Sequence, residues 1–362
     1  MSQVLPKIQD WFDSRTNLRL SFLDRIGWGD AVSAPVGDDC AFRRYFRLKH
    51  SGGRTAILME TVPDGTSFIT PGHNMDDFIR IGAYLTGMGL HAPAIYECDI
   101  AHGYLLLEDF GAISFKAALA SGQDRRCLYE LATDVLRHLR VHAREGDIVL
   151  PRYYESHVHT ARRRLVDWYM PCQNRVKNPD GLVEDYLAVW DSIEADLPPV
   201  KQGFLHIDYH FENLMWMPER DGLMRAGILD YQGAMTGPVS YDLANLLEDA
   251  RVDVPEDIRA SMLDRFCDGM SAQEEQDFRA WYRVLATQFH CRVLGQFIRL
   301  ALRDGKFRYI QHMPRVAGYI ERALGDPVLA PLQSWLTRND VRLDQLPDID
   351  ESCRAFIRDD AF

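Results

Sequence analysis

Alternating apolar and polar positions in the first third of the chain predict a small antiparallel sheet. Strands are predicted within residues 37–48 and over residues 55–60, 94–98 and 104–108. The pair Gly52-Gly53 reverses the chain between the first two strands, which therefore form a predicted hairpin. Apolar residues at helical spacing from Met75 to Met88 predict one helix beside the sheet, and Gly89 is its expected end.

Helical spacing dominates the rest of the chain, so a larger and mostly helical part is expected to follow the sheet. Helices are predicted over residues 125–144, 156–169, 184–195, 255–267, 273–302 and 313–324. Two short amphipathic helices are also predicted over residues 8–27, with Leu18 and Leu20 among the side chains that face inward. The predicted fold class is therefore α+β, with residues 1–109 and 110–362 as its two parts and a ligand cleft between them.

The composition is that of a globular protein. Of the 362 residues, 46% are apolar and 26% are charged. The formal net charge of −12 argues against non-specific binding of nucleic acid or of an anionic membrane. Lys accounts for only six of the 41 basic residues, and the abundant Arg suits fork-like recognition of phosphate and carboxylate groups.

The seven cysteines are scattered along the chain without the spacing of a metal site, so they are expected to be reduced thiols. The first residues do not have the apolar stretch of a secretory signal, and no apolar run reaches transmembrane length. These features predict a cytoplasmic protein.

Two short segments have the pattern of a phosphoryl-transfer site. His206, Asp208 and Asn213 stand in the order His-x-Asp-x4-Asn, and Asp230 follows a strand predicted over residues 223–229. In kinase-type enzymes one carboxylate orients and deprotonates the attacking hydroxyl, while an amide and a second carboxylate hold Mg²⁺. The structural alternative is that the histidine lies in the core and the two acids cap turns.

Five longer strings of sequence carry a family resemblance. They are Gly37 to Leu48, Leu105 to Gly111, His206 to Asn213, Leu229 to Leu243 and Leu294 to Lys306. These strings resemble the aminoglycoside phosphotransferase/choline kinase superfamily, and the resemblance covers most of the chain. It is closest to the bacterial kinases that phosphorylate the anomeric hydroxyl of N-acetylmuramate and N-acetylglucosamine in cell-wall recycling.

The resemblance implies a bilobal protein-kinase-like fold, with a small antiparallel-sheet N-lobe that includes a helix and a larger, mostly helical C-lobe. It also implies an ATP-dependent enzyme that uses Mg²⁺ and a small-molecule sugar. Asp208 is the implied catalytic base, and Asn213 and Asp230 are the implied Mg²⁺ ligands. His206 and Asp242 are expected to support the catalytic loop, and a hydrogen bond between them is one expected arrangement.

The phosphate-binding residues depart from the usual kinase pattern. A kinase normally carries a Lys in the second of the predicted hairpin strands, but this strand ends Ile-Leu-Met59. Arg43 or Arg44, which point to opposite faces of a strand, is expected to supply the missing charge, and the resemblance favours Arg44. Asp76 or Asp77 on the following helix is the expected counter-ion. The alternative is that the arginines are solvated charges of an edge strand.

The end of the fourth predicted strand is expected to be the connector between the lobes. Backbone groups of Glu108, Asp109 and Phe110 would bind the adenine there, so that their side chains carry little information. A second departure from the family pattern is Gly233, which stands where an acid is expected after Gln232.

The sugar pocket has several candidate residues. Tyr209 and His210 lie beside the predicted base, and Gln232 could reach the same space. Trp168-Tyr169 follows a run of three arginines and could stack on a sugar, although a position in the core is the simpler interpretation. Arg299 is a further candidate for the carboxylate of an acidic sugar.

Two other functions fit the same residues. One is a kinase of another small hydroxyl substrate, such as an aminoglycoside or choline, for which Glu248 and Asp249 could supply negative charge. The other is a pseudokinase that binds nucleotide without turnover, as the absent Lys suggests. The intact set of Asp208, Asn213 and Asp230 argues against the pseudokinase.

Overall fold

The structure is a computed structural model that describes residues 10–37, 43–63, 74–144 and 146–361. Residues 38–42, within the segment predicted to hold the first strand, and the start of the first predicted helix at residue 8 lie outside these ranges. In the described part of the chain, no helix is both long enough and apolar enough to cross a membrane.

The chain packs into two compact units, each made of two segments. The first unit is drawn from residues 1–135 and 206–234, and the second from residues 136–205 and 235–362. The division of the chain at residue 109 stays a prediction.

Most of the predicted strands and helices occur, but the hydrophobic pattern did not predict several others, among them Val32–Pro35, Phe115–Ala120, Ser240–Leu247 and Ala330–Arg338. The strands are β1 Val32–Pro35, β2 Arg43–Lys49, β3 Thr55–Thr61, β4 Ile95–Asp99, β5 Tyr104–Leu107, β6 Gln202–Leu205, β7 Leu214–Trp216, β8 Ala226–Ile228 and β9 Met235–Pro238. The α-helices are α1 Thr16–Arg25, α2 Met75–Gly87, α3 Phe115–Ala120, α4 Arg125–His142, α5 His157–Thr160, α6 Met170–Asn174, α7 Leu182–Ala195, α8 Ser240–Leu247, α9 Glu256–Cys267, α10 Ala272–Asp304, α11 Met313–Ala323 and α12 Ala330–Arg338.

The first unit is built on an antiparallel sheet of five strands in the order β1-β2-β3-β5-β4. The predicted hairpin is confirmed by the pairing of β2 with β3, in which Arg43 lies opposite Thr61 and Tyr45 opposite Met59. Because side chains alternate across a strand, these four residues share one face of the sheet.

The opposite face of the sheet packs against α1. Its apolar residues form one buried cluster with the helix, made of Phe22, Leu23, Trp28, Leu48, Ala56, Leu58, Tyr104 and Leu106. The prediction that Leu18 and Leu20 face inward is wrong, since they are 45% and 50% exposed. A helix that covers one face of a sheet buries only a single stripe of side chains, and these two leucines lie outside that stripe.

The predicted helix beside the sheet is confirmed as α2. The Asn74 side chain caps its first turn by accepting a hydrogen bond from the N–H of Asp77 at 2.8 Å. Gly89 follows the helix with a φ of +78°, a left-handed conformation that residues with a Cβ rarely adopt. The local capping residues therefore set both ends of this helix.

A short hairpin in the first unit follows the His-x-Asp-x4-Asn motif. Strands β7 and β8 pair so that Leu214 lies opposite Ile228. The strand predicted over residues 223–229 is partly wrong, because Gly222–Arg225 forms a 3-10 turn and only three residues pair with β7. The N–H of Leu229 donates to the carbonyl of Asn213 at 2.9 Å, so the hairpin holds the residues before and after it together.

The second unit is mostly helical and is organised around the long helix α10. Trp168 and Tyr169 are buried in its core, as the simpler interpretation of that pair expected. The continuous helix predicted over residues 156–169 is wrong: α5 is followed by a 3-10 turn and then by the π-helix Leu165–Tyr169. Four of the five residues of this π-helix are buried.

Candidate active site

Asp208 lies exposed on the loop between β6 and β7, and two neighbours hold its side chain. His210 Nδ1 accepts from the N–H of Glu212 at 3.2 Å, so the ring proton sits on Nε2, which is 3.3 Å from Asp208 Oδ1. Asn213 Nδ2 donates to Asp208 Oδ2 at 3.2 Å and to its carbonyl at 3.0 Å. The carboxylate is therefore oriented by two donors while part of it faces solvent.

The backbone of this region is strained at two functional positions. Ile207, which precedes Asp208, has a φ of +77°, and Asp230 has a φ of +59°. A β-branched residue in this conformation costs of order 1–3 kcal/mol. Such strain is kept when the surrounding structure holds a side chain in a required place, and here both positions adjoin or carry a predicted catalytic carboxylate.

His206 is buried directly beside this loop. Its Nε2 is 2.8 Å from the carbonyl of Leu229, so Nε2 carries the proton and donates it to that oxygen. Burial lowers the pKa of His206, while the charges of Asp230 and Asp208 oppose this effect. The neutral ring thus joins the catalytic loop to the residue before Asp230. The expected bond from His206 to Asp242 stays a prediction.

Asp230 is exposed, but the residues after it are anchored in the first unit. Gln232 Nε2 donates to Asp230 Oδ1 at 2.6 Å, and the glutamine is buried. Tyr231 is fully buried and packs against Phe78 of α2 with ring centroids 5.0 Å apart. A Cβ at Gly82 of α2 would meet the Tyr231 hydroxyl at 2.5 Å, so only glycine permits this approach.

The donor atoms of this region fit a magnesium ion. Because Nδ2 of Asn213 is turned toward Asp208, its Oδ1 faces the other way, and Asp230 has a second carboxylate oxygen beyond the one bonded to Gln232. Amide and carboxylate oxygens are the hard donors that Mg²⁺ prefers when it shares its shell with phosphates and water. No group of three or more His, Cys, Asp or Glu suited to a metal occurs among the described residues, so the site has too few protein ligands for a closed structural ion.

Two of the predicted sugar contacts have structural partners instead. Tyr209 is buried, and its hydroxyl donates to the carbonyl of Ala132 at 2.9 Å. This burial and this hydrogen bond assign Tyr209 to the core of the first unit rather than to an acceptor pocket. His210 is buried against Asp208 and orients it, as described above.

The predicted connector is held by side chains that sequence reasoning missed. Glu108 is 3.2 Å from His91 Nε2 and accepts from Arg220 Nη2 at 3.0 Å. Burial raises the pKa of Glu108, but the hydrogen bonds from His91 and from the N–H of Ala94 outweigh burial and lower it overall. His91 and Arg220 are too far from Glu108 in the chain for any local pattern to have indicated them.

The other two connector side chains are also engaged within the first unit. Asp109 accepts from Arg47 Nε at 2.9 Å and from Arg47 Nη2 at 3.0 Å. Phe110 is buried, and a Cβ at Gly227 would meet its ring at 2.6 Å. These contacts leave the backbone of the connector, rather than its side chains, for a ligand, in line with the expectation from the sequence.

Arg43 and Arg44 have different surroundings because they occupy opposite faces of β2. Both nitrogens of the Arg44 fork donate to Asp13 Oδ1 at 3.0 Å, and its guanidinium lies over the Phe12 ring. Arg43 is only 1% exposed, and its Nε and Nη2 have no hydrogen-bond partner among the described residues. This contrast makes Arg43 the stronger candidate for binding an added ligand.

Arg43 lies close to the residue that follows Asp230. Burial and the Tyr45 hydroxyl raise the pKa of Tyr231, and the charge of Arg43 opposes that rise. Met59, which occupies the position of the usual kinase Lys, is fully buried on the same face of the sheet. Arg43 is a diagonal neighbour of Met59, since its direct partner Thr61 is two residues further along β3.

Asp76 and Asp77, the two candidate counter-ions, both contact an arginine of their own helix α2. Asp77 forms an ion pair with Arg80, and Asp76 lies 3.5 Å from Arg80 Nε. Neither contact was expected from the sequence, although i,i+3 and i,i+4 pairs on a helix are a general signal for them. No described carboxylate pairs with Arg43.

The second unit holds the remaining candidates. Asp242 is buried in the first turn of α8. A cavity of about 220 Å³ lies in this unit, lined by Arg163, Asp167, Pro171, Asn178, Pro179, Asp180, Gly181, Val183, Glu184, Arg358 and Asp360. None of these residues belongs to the predicted site.

The chain belongs to the phosphotransferase enzyme family, whose sequence pattern it matches over residues 33–283. This membership confirms the resemblance seen in the sequence and the prediction of a kinase-type phosphotransferase.

Two individual proteins show which members of the family this chain is similar to. An N-acetylmuramate/N-acetylglucosamine kinase from Caulobacter vibrioides is 32% identical over 353 residues, which cover 90% of this chain and 96% of that protein. A protein of the same name from Pseudomonas aeruginosa is 30% identical over 322 residues, covering 86% of this chain and 90% of its own.

Solved structures agree on the fold. A choline/ethanolamine kinase family protein from Mesorhizobium loti matches 90% of this chain and 99% of its own length, with a TM-score of 0.56 at 15% identity. The predicted α+β protein-kinase-like fold is confirmed by this match and by the five-stranded antiparallel sheet.

Proposed function

We propose that this protein is an ATP-dependent kinase that phosphorylates the C1 hydroxyl of N-acetylmuramate, N-acetylglucosamine or both. The class of acceptor is supported by the relatives, four of which bear the name N-acetylmuramate/N-acetylglucosamine kinase. The observation that carries the chemistry is the exposed carboxylate of Asp208, oriented by His210 and Asn213 on a strained loop. The pathway served would be the recycling of cell-wall sugars.

Asp208 acts on the acceptor hydroxyl in this proposal. Its exposed oxygen accepts the hydroxyl proton and aims the attacking oxygen at the terminal phosphate. The transition state of phosphoryl transfer is loose, so orientation contributes more than early proton removal. An anomeric hydroxyl is more acidic than an ordinary alcohol, which lowers the demand on the base.

Asn213 and Asp230 would hold Mg²⁺ through Asn213 Oδ1 and the Asp230 carboxylate. The ion, when bound, neutralises charge on the nucleotide phosphates. Two features of the chain keep these donors in place: Gln232 bonded to Asp230, and the N–H of Leu229 bonded to the carbonyl of Asn213. The ligands are thus fixed before the nucleotide arrives.

Arg43 would bind the phosphates in place of the usual Lys. A guanidinium that is buried and lacks partners costs free energy unless an anion meets it. The adenine would lie at the connector, where Phe110 N–H donates to no described residue and the side chains of Glu108 and Asp109 are occupied elsewhere. Residues 1–109 would then form the nucleotide lobe, and residues 110–362 would carry the catalytic loop and substrate pocket.

Gln232 is assigned here to the positioning of Asp230 rather than to the sugar. Replacing Gln232 with Met is expected to raise the Mg²⁺ concentration for half-maximal rate about 10- to 100-fold, because residues that orient a metal ligand contribute on that scale. The measurement is initial rate against Mg²⁺ at saturating ATP. Gln123→Met serves as the matched control. If Gln232 instead contacted the sugar, Gln232→Met would change the KM for the acceptor and leave the Mg²⁺ dependence constant.

The proposed function is tested by ADP release from ATP and Mg²⁺ with a panel of acceptors. The panel contains N-acetylmuramate, N-acetylglucosamine, a cationic aminoglycoside and choline, and the phosphorylated carbon is assigned by ³¹P NMR. Turnover with an amino sugar and a phosphate at C1 is the expected result. Turnover only with a cationic acceptor would replace the proposed substrate, and binding of ATP without ADP release from any acceptor would favour a pseudokinase.

In this proposal the protein is cytoplasmic, because its co-substrate is ATP. ATP is available in the cytoplasm, and the cysteines of the described residues are free thiols, as a reducing compartment allows.

A further inference from the structure

An arginine cluster lies in the second unit, outside the residues assigned above. Arg292, Arg299 and Arg303 follow one another at spacings of seven and four residues on α10, which places them on one side of the helix. Arg164 joins them from the segment between α5 and α6, just before the π-helix. We name these four residues the arginine cluster.

A glycine brings Arg164 to this side of α10. Gly295 lies one turn after Arg292 and one turn before Arg299, and a Cβ there would overlap the carbonyl oxygen of Arg164. Only glycine allows the backbone of Arg164 to approach α10 so closely. The approach holds the positive side chains of Arg164, Arg292 and Arg299 together within a protein whose formal net charge is −12.

The nearby carboxylates are bonded to Arg163 and to Arg303. Asp167 accepts from Arg163 Nε at 2.7 Å, and Asp304 accepts from Arg303 Nε at 2.7 Å. The side chains of Arg164 and Arg299 form no ion pair or hydrogen bond with any described residue, and both residues are half-buried.

Within the described part of the chain, the contacts of the Arg292 side chain are with neutral groups. It donates to the Tyr241 hydroxyl at 3.1 Å and lies over the Phe289 ring. Three positive charges, those of Arg164, Arg292 and Arg299, are thus left without a matching carboxylate among the described residues.

Mutual repulsion is visible in the ionisation of the cluster. Burial and the charges of Arg292, Arg299 and Arg303 lower the pKa of Arg164 to about 9. Burial and Arg303 also lower the pKa of Arg299. The protein thus holds like charges together at a cost that a bound anion would offset.

We infer that Arg164, Arg292 and Arg299 form an anion-binding site of the second unit, which takes a small molecule bearing a carboxylate or a phosphate. Planar guanidinium groups bind such anions through paired, charge-assisted hydrogen bonds. The carboxylate of an acidic sugar is the favoured source, and this choice of ligand rests on the proposed function, since N-acetylmuramate carries a carboxylate that N-acetylglucosamine lacks. Free phosphate is the alternative source of the same chemistry.

Isothermal titration calorimetry of the full chain compares N-acetylmuramate, N-acetylglucosamine and inorganic phosphate. The wild type is expected to bind N-acetylmuramate about tenfold or more tightly than the neutral sugar, because charge-assisted hydrogen bonds to a carboxylate contribute on that scale. Arg164→Gln and Arg299→Gln should each lower this ratio of affinities about tenfold. Arg299→Lys, which keeps the charge but not the fork, should lower it less.

Arg338→Gln is the matched control, since Arg338 is 63% exposed and its 3.5 Å contact with Asp185 lies on the surface of α12. It removes one positive charge from the same unit and should leave the ratio unchanged. Thermal melting checks that each variant is folded. If a Gln variant does not fold, the wild-type comparison of acidic and neutral sugars and the Arg299→Lys variant decide the question.

The three probes separate the outcomes. Variants that weaken phosphate binding but not N-acetylmuramate binding would identify phosphate as the source and keep the anion site. Equal wild-type affinity for both sugars together with no phosphate binding would overturn the site, and so would variants indistinguishable from Arg338→Gln for both anions. Failure to release ADP with any sugar would overturn the proposed function alone, because these binding ratios do not depend on turnover.

Discussion

Replacing Asp208 with Asn is expected to lower kcat about 10²–10⁴-fold while the chain stays folded. The amide keeps the size of the side chain but cannot accept the acceptor's proton, and it offers Asn213 and His210 only one oxygen. KM for ATP should change little, because no contact of Asp208 with the nucleotide is proposed. The rate is measured by coupled ADP release with N-acetylglucosamine and with N-acetylmuramate.

Glu212 provides the control for Asp208. It lies in the same loop, and its exposed ion pair with Lys116 at 2.6 Å is of a kind that contributes about 0–1 kcal/mol to stability. Glu212→Gln should therefore retain nearly full activity and nearly the same melting temperature. An Asp208→Asn protein that turned over sugar at the wild-type rate would exclude this residue as the base.

Replacing Arg43 with Met is expected to lower kcat/KM for ATP about 10²–10³-fold, the scale on which one fixed electrostatic donor contributes to charge stabilisation. The same change should raise the melting temperature of the nucleotide-free protein. A buried polar group without partners costs about 1–3 kcal/mol, and the Met side chain removes that cost at similar length. Activity and stability are thus expected to move in opposite directions.

These opposite changes in activity and in melting temperature distinguish an arginine that binds phosphate from one that stabilises the fold. If Arg43 supported the fold, Arg43→Met would lower the melting temperature, and any loss of activity would follow from unfolding. Arg25→Met is the control, since Arg25 is a 60% exposed arginine of the same unit paired with Asp99 at 2.6 Å. If Arg43→Met changed neither the KM for ATP nor kcat, Arg43 would not be the residue that replaces the missing Lys.

The sequence predicted elements well where one local period controlled burial. The β2–β3 hairpin follows from alternation and from Gly52-Gly53, and α2 follows from its apolar spacing and from Gly89. The prediction failed for residues 156–169, where a 3-10 turn and a π-helix follow α5, because helical spacing of apolar residues does not distinguish these forms from one continuous α-helix. Leu18 and Leu20 were misplaced because periodicity does not tell how wide a stripe the sheet will cover.

The candidate site divides in the same way. The spacing from His206 to Asn213 places the predicted base Asp208 and the predicted metal ligand Asn213 within one short loop. The motif alone therefore indicated both residues. The partners that position Asp230 and Glu108 were not predicted, since Gln232 was assigned to the sugar and Arg220 is 112 residues from Glu108.

By itself, the sequence determined the β2–β3 hairpin, the helix α2, the family and the loop that bears Asp208, because each of these depends on residues close together along the chain. Only the tertiary structure decided that Arg43 is buried with no partner for Nε and Nη2 among the described residues while Arg44 meets Asp13, and that Gly295 brings Arg164 beside Arg299. Local periodicity sets which way a side chain points. What the side chain then meets depends on packing between distant segments, for which a single chain's pattern contains no signal.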